Sequence, residues 1–349
     1  MANLAFIAVL GALLLSTLLW AFKVLPSEHW QMIASVPRVK KTDGTWQGLN
    51  LTYYGFFSAT GSTIGVALMM LLMTSIGVPL LLAVGFIITI FVVSVPASRA
   101  VAAIVENKRN TFTVAGAAFA ATLLAPPLAW ALQQWLHSRL QREIPMLPVL
   151  AASAIAYAIG ESIGRLACIS FGCCYGIPLR EAGPILGRVF RRYSLVLHGQ
   201  TKKAAYASGL AGEPLIPVQA LTSLVFALAG LGGLGLFLAQ RWKSAALIPI
   251  LCTWGCRAAS EPLRADFRGR GRISSYQVMS LIALAYLVLI TWLVRGEGSA
   301  PSLGLAFSQI LSLPVAAGLQ LFWIALFLYY GRSRVTASSV SFHVLADQI

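Results

Sequence analysis

Long apolar stretches separated by short polar breaks set the pattern of this chain. A run of about 20 apolar residues matches the hydrocarbon thickness of a bilayer. Such runs recur at roughly 2–24, 51–73, 76–97, 113–136, 147–171, 217–240, 244–263, 274–294 and 303–330. They predict an all-α fold: a polytopic integral membrane helical bundle of about seven to nine transmembrane helices. Residues 25–50 read as a polar loop, with Trp30 and Trp46 as anchors at the membrane interface. Residues 177–215 form the one long extramembrane loop. The first run lacks a basic leader and a small-x-small cleavage site, so it reads as a retained helix and not a signal peptide. This punctuation divides the chain into 1–50, an extra helix with its polar loop; 51–331, the main membrane domain; and 332–349, a short tail.

Composition sharpens that picture. With 58% hydrophobic and 11% charged residues, a water-soluble domain is excluded. A net charge of +15 suggests nucleic acid in a soluble protein. Here the basic residues sit mostly in loops, so no nucleic acid is expected and an anionic lipid is the expected partner. The long loop carries Arg180, Arg188, Arg191, Arg192, Lys202 and Lys203, a surface suited to phosphate headgroups, although ordinary solvated decoration accounts for it equally. The cysteines are Cys168, Cys173, Cys174, Cys252 and Cys256. Their spacing matches no usual zinc motif and no histidine adjoins them, so no metal and no cofactor are expected.

Two charged islands interrupt the apolar pattern. In the first, Glu161 and Arg165 close the run that begins near Met146. A charge at mid-bilayer costs about 2.5–3.5 kcal/mol on insertion scales, so the pair is a candidate functional site. Their i,i+4 spacing puts them on one helical face, where they neutralise each other. The second island holds Cys252, Cys256, Arg257, Glu261, Arg264 and Asp266. Arg257 and Glu261 are again i,i+4, and Arg264 follows two turns on, while Pro262 ends or kinks the helix. Two arginines on two helices, each with an acid four residues away, suit a bidentate phosphate clamp. The alternative is an arginine–glutamate lattice that only pins helices together.

These residues carry a resemblance. Gly164-Arg165-Leu166 followed by Gly176, and Arg257-x-x-x-Glu261-x-x-Arg264-x-Asp266, resemble the two arginine motifs of bacterial prolipoprotein diacylglyceryl transferases. Tyr54-Gly55 opening a helix, Arg99 ending the next and Pro217-x-Gln219 after the long loop are similar to the lesser motifs, in the same order, across roughly residues 50–330. The resemblance implies a multi-pass enzyme of the bacterial inner membrane. It implies transfer of diacylglycerol from phosphatidylglycerol to the lipobox cysteine of a lipoprotein precursor. Arg165 and Arg257 match the essential pair that holds the lipid phosphate, and Arg264, Tyr54, Arg99, Gly176 and Gln219 fall at its substrate-binding positions. The chain departs from the family where a His-Gly-Gly element is expected and Thr113-Val114-Ala115-Gly116 stands. Cys168 and Phe171 replace the asparagines after the signature arginine, and Ile216 replaces the histidine before Pro217.

Chemically, displacement of a phosphate leaving group at carbon needs cations on the phosphate and a deprotonated thiol. With the histidine gone, the candidate bases are Glu161 and Glu261. Cys168, Cys173 and Cys174 are candidate nucleophiles that carry the lipid covalently; inert packing is the alternative for each. A non-catalytic phospholipid-binding relative, or a transferase with another acceptor, also fits these departures. Charge asymmetry adds a tension. Arg139, Arg142, Arg241, Lys243 and Arg295 fall on one side of the membrane and all other basic residues on the motif side. The positive-inside rule makes that side cytoplasmic, whereas the resemblance places the motifs toward the outer face.

Overall fold

The computed structural model describes residues 2–106, 113–141, 146–266, 273–294, 296 and 298–349. Arg142 and Arg295 lie outside the described residues. Among the described residues, eight helices are long and apolar enough to cross a membrane: α1 (Ala2–Val24), α2 (Tyr53–Ser75), α3 (Leu80–Glu106), α4 (Val114–Leu140), α5 (Met146–Phe171), α8 (Val218–Leu238), α10 (Ser275–Leu293) and α12 (Leu313–Tyr330). A ninth, α9 (Trp242–Ser260), carries more polar residues yet joins opposite ends of the bundle. At its start Trp242 meets Phe237 at the end of α8, with rings 5.0 Å apart. Beyond its end, Ala265 donates to the Tyr175 carbonyl after α5 (3.0 Å) and Ile177 donates to Leu263 (2.9 Å).

Helix α5 is the axis. It is buried along most of its length, with α2, α8 and α9 packed round it. An outer arc of α3, α4 and α10 closes the other side, while α1 lies on α8. The α2–α5 contact explains this centrality. Gly61 and Gly65 on α2 face Gly160 and Gly164 on α5, and the two backbones nearly touch. A β-carbon added at Gly61 would fall 2.5 Å from the Gly160 carbonyl oxygen; one at Gly160 would fall 2.8 Å from that of Gly61. Small residues spaced i,i+4 on both helices permit this approach, the usual solution where lipid supplies no hydrophobic drive between helices.

Several expectations need correction. Residues 25–50 contain more than a loop: β1 (Met32–Lys40) and β2 (Trp46–Thr52) form an antiparallel hairpin. The tail adds β5 (Ser338–Val340) on its far edge. The last predicted helix is broken, with α11 (Leu303–Ile310) ending before Ser312 and Pro314 starting α12; proline fits a first turn but not a helix interior. Helix α3 runs past Arg99 to Glu106, so Arg99 does not end it. Helix α4 runs beyond the predicted end at residue 136 and includes His137 in its last turn.

The 172–217 excursion folds as short helices α6 (Pro184–Phe190) and α7 (Lys203–Ser208) with a two-stranded pair, β3 (Leu195–Val196) and β4 (Pro214–Leu215). Its anchor is Lys202, fully buried. The ammonium donates to the Leu25 carbonyl (3.0 Å) after α1 and the Ser170 carbonyl (2.9 Å) in the last turn of α5. A cation at two helix C-termini satisfies orphan carbonyls and complements both helix dipoles.

Candidate functional site

The two charged islands meet. Glu161 Oε1 accepts from Arg165 Nη2 at 2.9 Å along its own helix and from Arg257 Nη2 at 2.7 Å across from α9. One carboxylate oxygen therefore serves two guanidinium groups. Both arginines are buried, at 7% and 8% exposure. Arg257 also donates to the Tyr157 hydroxyl through Nε (3.1 Å) and Nη2 (2.7 Å). Tyr157 stacks on Trp254 with centroids 6.4 Å apart. Phe226 of α8 lies beside both cations, 6.0 Å from Arg165 and 5.8 Å from Arg257, within the usual range of cation–π attraction.

The sequence expectation that Arg257 pairs with Glu261 is replaced by this crossing. Helix α9 ends at Ser260 and Glu261–Leu263 wind into a 3-10 turn, which breaks the i,i+4 relation. Glu261 accepts from Ser274 Oγ at 3.1 Å instead. Arg264 likewise leaves the helix: its backbone is extended and bridges Gly176. Its guanidinium grips Asp266 in a fork, Nε–Oδ1 2.8 Å and Nη2–Oδ2 2.7 Å.

A cavity of about 550 Å³ opens along this cluster, walled by α2, α3, α4, α5, α9 and α10. Much of its wall is apolar, with residues such as Ile87, Phe91, Ala121, Leu150 and Ile250. Its charged end holds Arg165, Arg257, Arg264 and Lys203 against Glu161 and Asp266, an excess of two positive charges. Arg165 Nε is buried and makes no hydrogen bond. A cationic end with an unsatisfied guanidinium N–H, joined to an apolar chamber, is built for an anion carrying hydrocarbon.

Of the residues singled out from sequence, Arg165, Arg257, Glu161, Arg264, Tyr54, Cys168, Cys173 and Cys174 line this cavity. Glu261, Gly176, Gln219 and Arg99 are not part of its wall. Gly176 lets two segments meet, since a β-carbon there would fall 2.3 Å from the Ile216 carbonyl oxygen. Gln219 donates to the Cys173 carbonyl at 2.9 Å and so holds the cysteine turn. Arg99 is exposed and donates to the Tyr329 hydroxyl (2.7 Å). Cys252 and Cys256 do not reach the cavity wall, so the thiols do not all gather there. Thr113, Val114 and Ala115 line the wall where the resemblance expects a histidine, and Thr113 caps α4 by accepting from the Gly116 N–H (3.2 Å).

The sequence reading missed Tyr157 and counted Lys203 only among the basic residues of the long loop. Tyr157 sits i−4 from Glu161, on the same helical face, and that spacing was the available signal. Lys203 is placed by its neighbour's anchoring and no local pattern announces it. Burial draws the Lys203 ammonium down, but Cys173, Cys174 and Asp266 outweigh burial and leave it raised.

The three thiols converge through the end of α5. Gly172 N–H bonds to the Ile169 carbonyl (3.2 Å) and Cys173 N–H to the Cys168 carbonyl (3.0 Å). Gly172 sits at φ +71°. This is a Schellman cap, which folds Cys173 back over Cys168, and Cys174, also left-handed at φ +58°, completes the cluster. All three sulfurs lie within 4.8 Å of one another. Hydrogen bonds from the Cys168 and Cys173 thiols pull Cys174 well below the ordinary thiol range, helped by Arg264 and Arg165 against the opposing effect of burial. Cys173, through its thiol contacts with Cys168 and Cys174 and its burial, is pushed well above it.

A bundle with eight spans among the described residues and a cationic, apolar-walled chamber defines a multi-pass membrane protein. The model of the prolipoprotein diacylglyceryl transferase family matches residues 45–293. The chain belongs to that family, a family of transferases. No curated protein matches it significantly.

Proposed function

We propose that this protein transfers the diacylglyceryl group of phosphatidylglycerol to the cysteine thiol of a lipoprotein precursor at the inner membrane of a bacterium. The observation that carries this reading is the single Glu161 carboxylate shared by two buried arginines, beside an unsatisfied Arg165 Nε and an apolar chamber. Arg165 and Arg257 hold the lipid phosphate and Arg264 adds positive charge to the same cavity. The acyl chains take the apolar wall, which includes Tyr54. Glu161 keeps the clamp aligned and yields part of its hold when the anionic phosphodiester, with two acceptor oxygens, enters.

In the reaction the acceptor sulfur attacks the glycerol carbon bonded to the phosphate oxygen. The carbon–oxygen bond breaks with its electron pair on that oxygen, and glycerol phosphate leaves. Two guanidinium groups fixed in a water-poor site stabilise the growing phosphate charge without reorganising. Truncating either removes a planar fork that a lysine does not reproduce.

A second reading, a relative that binds phospholipid without turning it over, is favoured by the absence of a histidine from Thr113-Val114-Ala115-Gly116, where the family has its His-Gly-Gly element. Protein in vesicles with head-labelled phosphatidylglycerol and a lipobox peptide separates the two. Thioether-linked diacylglycerol with released glycerol phosphate supports transfer; retained, intact lipid supports the binder.

A further inference from the structure

We propose that Cys168, Cys173 and Cys174 are the ligands of a zinc ion whose fourth position faces the cavity and takes the acceptor thiol. The placement of the metal rests on geometry alone; its role toward the acceptor rests on the transferase reading above.

Three thiols within 4.8 Å are already close to what zinc requires. Tetrahedral zinc with Zn–S bonds of about 2.3 Å sets its sulfurs about 3.8 Å apart, so the closure needed is about 1 Å. The ligands are held before any metal arrives. The helix cap fixes Cys168 and Cys173, and Gln219 grips the Cys173 carbonyl. The Ala204 N–H bonds to the Gly172 carbonyl at 3.0 Å. Each thiol lines the same cavity as Arg165 and Arg257, so the side of the cluster free of protein ligands is the side where substrate lies.

Charge decides in favour of an occupied cluster. Three thiolates and one zinc ion carry a net charge of −1, and the cavity wall they join is net positive through Arg264 and Lys203. Three protein ligands with one open position is the arrangement of catalytic zinc, whereas structural zinc is closed by four. A copper(I) ion saturated by three thiolates leaves no such position.

The metal supplies what the missing histidine does not. Bound there, zinc would lower the acceptor thiol's pKa and hold its sulfur as a thiolate, the thiol proton passing to solvent water. The sulfur electron pair then forms the carbon–sulfur bond as the carbon–oxygen bond of the donor breaks onto phosphate. No electron enters or leaves the site, and the thiol proton ends on solvent water.

Full-length protein purified in detergent from zinc-supplemented cells tests this. The expected result is one zinc per chain and an X-ray absorption first shell dominated by sulfur. Replacement by Co²⁺ gives a near-ultraviolet thiolate charge-transfer band. Cys174→Ser abolishes the band and Cys252→Ser leaves it intact. Added N-acetylcysteine amide shifts the visible cobalt bands as a new sulfur enters. Wild-type protein that retains phosphatidylglycerol but holds no zinc and shows no cobalt–thiolate band overturns the site, as does copper in place of zinc. A band indifferent to added thiol overturns the open position. A band that responds to thiol, in protein that never transfers diacylglycerol, leaves the metal site standing and overturns the transferase reading instead.

Discussion

At the scale of single residues the site is a problem of charge. Two buried guanidinium groups share one carboxylate oxygen, so removing that carboxylate leaves both uncompensated. Breaking a buried pair this way costs about 3–5 kcal/mol. Glu161→Gln is therefore expected to lower thermal stability in detergent far more than Arg180→Gln, an exposed side chain whose partners Glu181 and Glu213 both reach solvent. Added phosphatidylglycerol should restore part of the loss by supplying the missing anion. Arg165→Ala and Arg257→Ala should each reduce co-purified phosphatidylglycerol about tenfold, equivalent to about 1.4 kcal/mol, as read by lipid extraction and mass spectrometry. Lys202 gives a pH signature. Burial lowers its pKa from 10.5 to about 8, so from about pH 8 to 10.5 the unfolded chain binds more protons than the folded one. Stability should rise across that window. In Lys202→Met that rise should vanish, with lower stability at every pH because two helix-end carbonyls lose their donor; a pH series of thermal melts checks both. Sequence spacing was enough for Glu161–Arg165, since i,i+4 neighbours share a face on any helix. It was not enough for Arg257, whose partner lies on another helix and whose local candidate, Glu261, falls where the helix tightens at Pro262.

At the scale of elements, helix approach sets the position of everything in the site. Gly61 and Gly65 against Gly160 and Gly164 bring α2 onto α5 immediately beside Glu161 and Arg165. Gly61→Val or Gly160→Val must drive the helices apart, a cost expected to reach several kcal/mol by the measure of overpacked cores. Gly85→Val on α3, where a β-carbon meets nothing within 4 Å, is the matched control and should leave stability within about 1 kcal/mol. Unfolding of purified variants in mixed detergent compares them directly. The paired small-residue spacing was present in the sequence and was the signal for this contact. The thiol cluster was hidden for a different reason. Cys168 and Cys173 are five apart, which separates them on a continuing helix, and only the reversal at Gly172 brings them together. The β1–β2–β5 sheet was hidden because its third strand arrives from the far end of the chain.

At the scale of the whole molecule, the order of the apolar runs determined the architecture. Each predicted run but the last corresponds to one helix, and the last to the broken pair α11 and α12, because a bilayer demands internal satisfaction of every backbone group and admits few other solutions. The family match spans α2 to α10 and leaves α1, α11 and α12 outside. Those helices clamp the bundle from its flanks, with α1 on α8 and α12 on α2. The basic bias of the motif side also changes meaning in three dimensions. Arg165, Arg257, Arg264 and Lys202 are committed to buried partners and are not free loop charges that hold a segment in the cytoplasm. A single probe cysteine at Tyr193, in a variant lacking the native cysteines, should accordingly react with an impermeant maleimide added outside intact cells. Labelling only after permeabilisation would place the site at the cytoplasmic face and require another acceptor. The central claim is that the shared-carboxylate clamp presents phosphatidylglycerol to a thiol. It is tested most directly in vesicles containing the purified protein, glycerol-labelled phosphatidylglycerol and a lipobox peptide. The account predicts glycerol phosphate released in step with thioether-linked diacylglycerol, with turnover lost in Arg165→Ala and Arg257→Ala. Lipid bound by the wild type with neither product formed would contradict it.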